Sequence, residues 1–499
     1  MRLRSALPLL GVVVAALFAL GAWALSAPLA SSPDDNFHMP SLWCAHGAGG
    51  DRCQEVRSDP DSRSVPAQAS VKVSCYVFDP LSSAACQQPV MDDNDAREVV
   101  TFGNWQGVYP PVYYWVNGLW VSSDTVLSVL LIRVFTGFVV VALFAALFCL
   151  VPRHLRPVAV VPAVVLSVPL AASLYSSTNP SAWGIAGPAV LWVALHAAYA
   201  TAGRIPWALC GLALVATLLG AGARADACLF CAMAVVLTFV MNLPRLRASL
   251  VPTLTGLASI VLAGLLFSTA DQSGALSAGL VSDQVIGDKS TSAVVQLTLN
   301  NLGQLSTLFT GFLGTTPIGW LDTPMPGVVS FLSVAAVTVL LALSWRRTTS
   351  RGHAVALALS GLSLFVYPLY ILGRSHLAVG QGVQPRYLLP LAVIFAGLVL
   401  LTGGARLSLV QARLVAAALA VAHTVALHVQ LRRYVTGLDV SSWNLDAHHE
   451  WWWNRMPVGP TVVWVVGSLA FAVVAVATLR LCVREPQPYV PRPVESGVS

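Results

Sequence analysis

Apolar runs separated by short polar breaks fill almost the whole of this 499-residue chain. Runs long enough to cross a hydrocarbon core of about 30 Å occupy residues 7–30, 126–151, 157–175, 182–202, 205–221, 226–243, 249–269, 326–345, 353–372, 386–403, 410–430 and 460–482. In lipid every backbone N–H and C=O must be paired within its own segment. The runs therefore predict an all-α integral membrane protein of about twelve transmembrane helices, and not an open sheet. The organisation that follows is a first transmembrane helix at 1–30, a large loop at 31–125, helices 2–7 over 126–269, a loop at 270–325, helices 8–12 over 326–483 with a loop at 431–459, and a tail at 484–499. Function is expected in the three long polar segments, because loops held by a rigid scaffold carry binding and catalytic residues.

Within those segments the pattern is less regular. Val71-Lys-Val-Ser-Cys-Tyr-Val-Phe reads as a short strand. Leu297 to Phe312 has a helical period interrupted by Gly303 and Gly311, and predicts a helix lying along the membrane interface. The first run follows a basic Met1-Arg-Leu-Arg and ends near a signal-like Ala27-Pro-Leu-Ala, yet its length favours an uncleaved anchor. Residues 485–499, with four prolines, read as a disordered tail.

Composition agrees with the membrane reading: 56% of residues are hydrophobic, 10% are charged and the mean hydropathy is +0.72, which excludes a water-soluble globular class. The net charge of +6 does not point to nucleic acid, because its residues mark one side of the membrane. Threading the chain through the runs puts Arg2, Arg4, Arg153, Arg156, Arg204, Arg245, Arg247, Arg346, Arg347, Arg351, Arg406, Arg413 and Arg484 on that side. Asp271, Asp283, Asp288, Asp322, Asp439, Asp446 and Glu450 fall on the other, with Arg432 and Arg433 as exceptions. By the positive-inside rule both termini are expected in the cytoplasm of a plasma membrane, with Asp34 outside. Four of the nine cysteines, Cys44, Cys53, Cys75 and Cys86, share the first outer loop, where two disulfides are expected. Of the three connectivities, the short-range pairing 44–53 and 75–86 is preferred. Cys228 and Cys231 form a CxxC inside an apolar run, where small packing residues are the plainer reading.

Candidate chemistry begins at SSPDDNFHMP, residues 31–40, where Asp34, Asp35 and His38 follow the first run directly. Polar residues at a helix exit commonly do no more than reach water. At the far end of the same loop, Val108-Tyr-Pro-Pro-Val-Tyr-Tyr-Trp sets a rigid proline pair among Tyr109, Tyr113, Tyr114 and Trp115. An interfacial aromatic belt accounts for the rings but not for the prolines.

An acidic pair after the first helix, followed by a PPxYY-like element at the second, resembles the GT-C superfamily of membrane glycosyltransferases, which use polyprenyl-phosphate sugar donors. Gly382-Val-Gln-Pro-Arg-Tyr-Leu-Leu-Pro resembles the QGRYxLP element of a bacterial family of GT-C-like membrane proteins of largely unassigned function. That family's PDExxH element is matched by Pro33, Asp34, Asp35 and His38, with Asp35 in place of the usual Glu and Pro385 in place of a usual Gly. Ser177-Thr-Asn-Pro-Ser-Ala-Trp and Gly222-Ala-Arg-Ala-Asp-Ala stand where the family has short outer turns. The resemblance implies a GT-C-like fold and inverting transfer from a polyprenyl-phosphate sugar to an extracytoplasmic envelope glycan or glycoprotein.

Such transfer needs a base for the acceptor hydroxyl and positive charge for the departing phosphate. Asp34 is the preferred base, Asp35 the second, and His38 would orient the pair. Arg224, Arg374 with the neighbouring His376, and Arg386 are the candidates for the phosphate, since a guanidinium bonds two phosphate oxygens and stays charged. Lys289 is a weaker one. For each arginine the alternative role is a headgroup anchor or an ion pair with Asp226 or Asp322. Tyr109, Tyr113 and Trp452 offer ring faces and polar tips to a sugar or lipid. The cluster around His448, His449 and Glu450 has no strong metal-ligand spacing; a divalent cation is compatible with the chemistry but no metal ligand is assigned. His154, His196, His353, His423 and His428 read as structural. No Walker sequence, dinucleotide fingerprint or serine elbow is present, which leaves ATP-driven and nucleotide-dependent chemistry unsupported. The rivals are a flippase for a lipid-linked glycan and a non-catalytic membrane scaffold.

Overall fold

The computed structural model of the chain describes residues 3–274, 290–346, 350–402 and 407–483. Arg2, Lys289, Asp283, Asp288, Arg347, Arg406, Arg484 and the tail at 485–499 lie outside them. Among the described residues are seventeen α-helices and one three-stranded sheet. Eight helices are long and apolar enough to cross a membrane: Leu7–Leu25 within the first helix, Thr125–Leu150, Ser181–Ala198, Leu250–Ser268, Gly327–Ser344, Arg351–Ser375, Leu409–Val435 and Pro460–Arg480. Three shorter apolar helices, Ile205–Ala221, Ala225–Met241 and Leu389–Leu401, accompany them. Exposed apolar residues recur at helical spacing, as Leu250, Leu254, Leu257, Val261 and Leu265 do on one helix. A continuous apolar stripe facing outward is what a lipid solvent requires.

Ser181–Ala198 is the centre of the bundle, buried over nearly its whole length. It is apolar all round, so every face needs a protein neighbour. Against Ile205–Ala221 the contact is made by small residues: a Cβ on Gly187 would lie 2.6 Å from the Ala216 carbonyl and 2.7 Å from Gly220 Cα. Backbones that approach so closely gain dispersion contacts along the whole seam. The expected span at 157–175 is instead two short helices, Arg156–Val165 and Leu170–Tyr175. Pro169 supplies no N–H and biases Val168 away from helical geometry, which ends the first piece. The amphipathic segment at 297–312 belongs to a longer helix, Thr291–Thr310, that continues into a π-turn at Gly311–Thr315.

Residues 26–124 fold over one end of the bundle. Strands β1 (Gln54–Val56), β2 (Asp59–Pro66) and β3 (Arg97–Val100) form an antiparallel sheet in that order, with Glu55 opposite Arg63 and Arg63 opposite Val100. Cys44–Cys53 and Cys75–Cys86 are disulfides, the pairing preferred from spacing. The strand expected from Val71 is not one. Ser70 Oγ accepts from the Lys72 N–H and Ser74 Oγ donates to the Val71 carbonyl, so side chains satisfy the backbone locally and the segment turns.

Two arginines fasten this lobe to the helices, and a third holds the loop at 431–459. Arg133, buried in Thr125–Leu150, donates to the carbonyls of Ala24, Ala27 and Pro28 and to Ser31 Oγ, satisfying the free end of the first helix. Arg433, fully buried, pairs with Asp322 at 3.2 Å and donates to the carbonyls of Tyr76 and Ser82. Arg432 holds the carbonyls of Ser442 and Asn444. The two arginines that broke the charge pattern are thus internal clamps.

Candidate functional site

The short helix Asp35–Trp43 begins immediately after the turn that leaves the first helix. Its N-cap is Asp34, in the left-handed region at φ 62°, a conformation that Asp tolerates better than most residues. The Asp34 carbonyl accepts from the N–H groups of Phe37 and His38, while its side chain makes no cap bond and turns away from the helix. The Asp35 carboxylate instead ties the helix start to its surroundings: its Oδ2 accepts from the Ser32 N–H at 2.9 Å and its Oδ1 accepts from Thr178 Oγ1 at 2.5 Å. Asn179 Nδ2 donates to the Pro33 carbonyl at 2.8 Å. The Ser177-Thr-Asn-Pro segment is therefore the seat on which the acidic pair is mounted, and it presents the two carboxylates in opposite roles.

Arg386 arrives from the 3-10 turn Pro385–Tyr387, and its Nη2 is ion-paired with Asp34 Oδ2. The pair is asymmetric: the Asp34 side chain is 42% exposed and that of Arg386 2%. Arg386 Nε and Nη1 are buried with no hydrogen-bond partner among the described residues. Arg224, at the N-cap of Ala225–Met241, is differently committed, donating through Nε and Nη2 to both oxygens of Asp226 at 2.9 Å. Its stem crosses the central helix where Gly184 leaves room, a Cβ there being 3.2 Å from Arg224 Cδ. Both guanidiniums lie against the Tyr387 ring, Arg224 at 5.0 Å and Arg386 at 5.2 Å, and Arg224 is also 5.7 Å from the Tyr109 ring. His38 closes the group, with Nδ1 2.8 Å from Tyr114 Oη and its ring edge-on to Tyr109, while its Nε2 has no partner among the described residues.

Electrostatics separate the two aspartates. Burial would raise the Asp34 carboxyl, but the Arg386 charge, with smaller help from His38 and Arg224, holds it below the usual carboxylate range. Asp35 is fully buried, and that burial pushes it up to about 6 despite the Thr178, Arg133 and Ser32 contacts. Burial lowers His38 to about 3, so its imidazole is neutral at physiological pH. Tyr109 is pushed up to about 12 by burial and stays a hydroxyl. An ionised, partly open carboxylate beside a cation with unspent N–H donors can accept a proton on one side and bind an oxyanion on the other.

Of the residues expected from sequence, Asp34, His38, Arg224, Arg386 and Tyr109 meet in one cluster, with Asp35 beneath them. Two other candidates have surroundings of their own. Tyr113 is fully buried, packed edge-on against Trp183 and Tyr114, so it supports the cluster and offers no surface to a substrate. Trp452 spends its indole N–H on the Val458 carbonyl and packs with Trp451, in an aromatic group whose Trp453 holds the Leu25 carbonyl. Arg374 is exposed on the last turn of Arg351–Ser375, and His376 caps that helix in a left-handed conformation. Tyr387, Thr178 and Asn179 join the site from the segments 382–390 and 177–183, whose motifs are visible in the sequence. No group of three or more His, Cys, Asp or Glu side chains able to hold a metal occurs among the described residues. Glu450 instead accepts from Ser83, and His449 contacts the Asp446 carbonyl. His423 accepts from the Trp23 indole, and Cys228 and Cys231 are buried packing residues.

Comparison with known families finds that residues 17–395 match the family model described as "Predicted membrane protein (DUF2142)". No curated protein and no solved structure matches the chain.

Proposed function

The chain belongs to the DUF2142 family of predicted membrane proteins, and we propose that it is a GT-C-type membrane glycosyltransferase, moving a sugar from a polyprenyl phosphate to an extracytoplasmic glycan or glycoprotein with inversion. In this reading the eight long helices, the three shorter ones and the broken pair at 156–175 make about twelve crossings. Both termini face the cytoplasm of a bacterial plasma membrane. The two disulfides support an oxidising compartment for the lobe at 31–124.

The observation that carries the proposal is the Asp34–Arg386 pair: an ionised carboxylate, 42% exposed, on a buried guanidinium with two unpartnered nitrogens. Asp34 takes the proton of the acceptor hydroxyl as its oxygen bonds to the anomeric carbon. The bond from that carbon to the phosphate oxygen breaks, and its electron pair leaves on the lipid phosphate. Negative charge growing on the phosphate is met by Arg386, which lies beside Tyr387, Tyr109 and the Arg224–Asp226 pair, where burial strengthens the interaction. Neutral His38, fixed by Tyr114, holds the turn that carries Asp34.

The test uses the purified protein in proteoliposomes with radiolabelled polyprenyl-phosphate sugars and an envelope-glycan acceptor fraction. Sugar-free lipid phosphate and labelled acceptor are the expected products, and Asp34→Asn, which keeps the left-handed turn accessible, lowers the rate about 10²- to 10⁴-fold. Label that crosses the bilayer still attached to its lipid would instead identify a flippase. Parental transfer by a well-inserted Asp34→Asn protein would overturn the assignment of the base.

A further inference from the structure

The Asp34 carboxylate and a donor phosphate need the same cation. Arg224 is committed to Asp226 through two bonds of 2.9 Å and has Ser181 Oγ at 3.4 Å from its third nitrogen. Arg386 has two buried nitrogens without partners among the described residues, and its remaining terminal nitrogen is held by Asp34 and, at 3.3 Å, by Tyr387 Oη. Asp34 is the open member of that pair and Arg386 the closed one. The carboxylate thus lies on the guanidinium as an internal oxyanion.

We propose that Asp34 is a stand-in ligand for the donor phosphate on Arg386, so that the phosphoryl group must displace it before Asp34 can serve as a base, and donor binds before acceptor. This rests on the glycosyl-transfer reading for what happens after displacement, although the competition itself is a property of binding alone. While paired, the carboxylate is a hydrogen-bonded acceptor on a cation and takes up a proton poorly. Once phosphate oxygens occupy Nε and the terminal nitrogens of Arg386, the carboxylate loses its counter-charge and gains a like-charged neighbour, both of which favour protonation. The base is thereby armed only when a leaving group is in place, which restrains proton abstraction from an acceptor that has no donor to react with. His38, Arg224, Tyr109 and Tyr114 are the other charged or titratable groups facing Asp34.

The consequence is counter-intuitive for a residue of the site: removing its charge should tighten binding of the lipid phosphate. Binding is measured by isothermal calorimetry on the full-length protein in detergent, with farnesyl phosphate, inorganic phosphate and farnesol as separate probes. Asp34→Asn is expected to bind farnesyl phosphate about tenfold or more tightly than the parent, the scale of a lost charge-assisted competitor. Arg386→Gln should lose that binding, and farnesol should not distinguish the three proteins. If inorganic phosphate reproduces the tightening, the site reads the oxyanion alone; if only farnesyl phosphate does, it reads a lipid headgroup. Unchanged or weaker binding by Asp34→Asn, with Arg386→Gln still defective, would overturn the displacement while leaving a phosphate site at Arg386. Unaltered binding by Arg386→Gln would remove the phosphate from Arg386 altogether. Asp34→Ser serves as a second charge-removing variant should Asp34→Asn insert badly. Because transfer is not the readout, failure here is separable from failure of the glycosyltransferase reading, which would show as absent turnover with the binding pattern intact.

Discussion

Replacing Asp35 by asparagine should stabilise the protein, and the size of the gain can be worked from the site. Burial pushes the Asp35 carboxyl up to about 6, against an ordinary value of 3.8. The folded state therefore holds the proton more tightly than the unfolded chain, and stability falls as pH rises from about 4 to about 6, then levels. At 1.36 kcal/mol per unit, the ionised group costs about 3 kcal/mol at neutral pH. Asparagine removes that cost and can keep the contacts: Oδ1 accepts from the Ser32 N–H, and Nδ2 donates to Thr178 Oγ1, whose hydrogen can turn to Ser32 Oγ at 3.5 Å. In detergent, followed by tryptophan fluorescence on heating, Asp35→Asn should melt above the parent near pH 7.5 and together with it near about pH 4. Transfer activity should persist, in contrast to Asp34→Asn. A melting difference independent of pH, or lower stability at neutral pH, would refute the assignment of Asp35 as a buried structural carboxyl.

Two further substitutions probe the scaffold. Asp322→Ala leaves the buried Arg433 charge without its counter-ion and the Phe78 N–H without its acceptor, and should cost about 3–5 kcal/mol, seen as a lowered melting temperature in the same fluorescence assay. Gly187→Val places a side chain where 2.6 Å separates a Cβ from the Ala216 carbonyl, so the variant should fail to give a monodisperse peak on size exclusion, whereas Gly11→Val, with open space around it, should not.

The apolar period made the helices legible, and most predicted ends fall within a few residues of the observed ones, because a helix in lipid needs only length and apolarity to exist. The same reasoning missed the break inside 157–175, where Pro169 interrupts the helix, and failed at Val71, where an alternating pattern had no partner strand and serines closed the backbone on itself. The motifs found in sequence did meet: residues 34, 224 and 386 lie far apart in the chain and share one cluster. Their roles were less legible. Nothing in the letters Asp-Asp says that one carboxylate is open and paired with arginine while its neighbour is sealed under Thr178.

Sequence alone determined that this is a helical membrane protein and which short segments hold its polar chemistry, since each follows from local composition and period. Tertiary structure decided which arginine keeps unspent donors, which tyrosine is wall and which is core, and why Arg432 and Arg433 defy the charge pattern. Those depend on burial and on the direction of individual side chains, which are set by distant segments packing together and are not encoded at any one position.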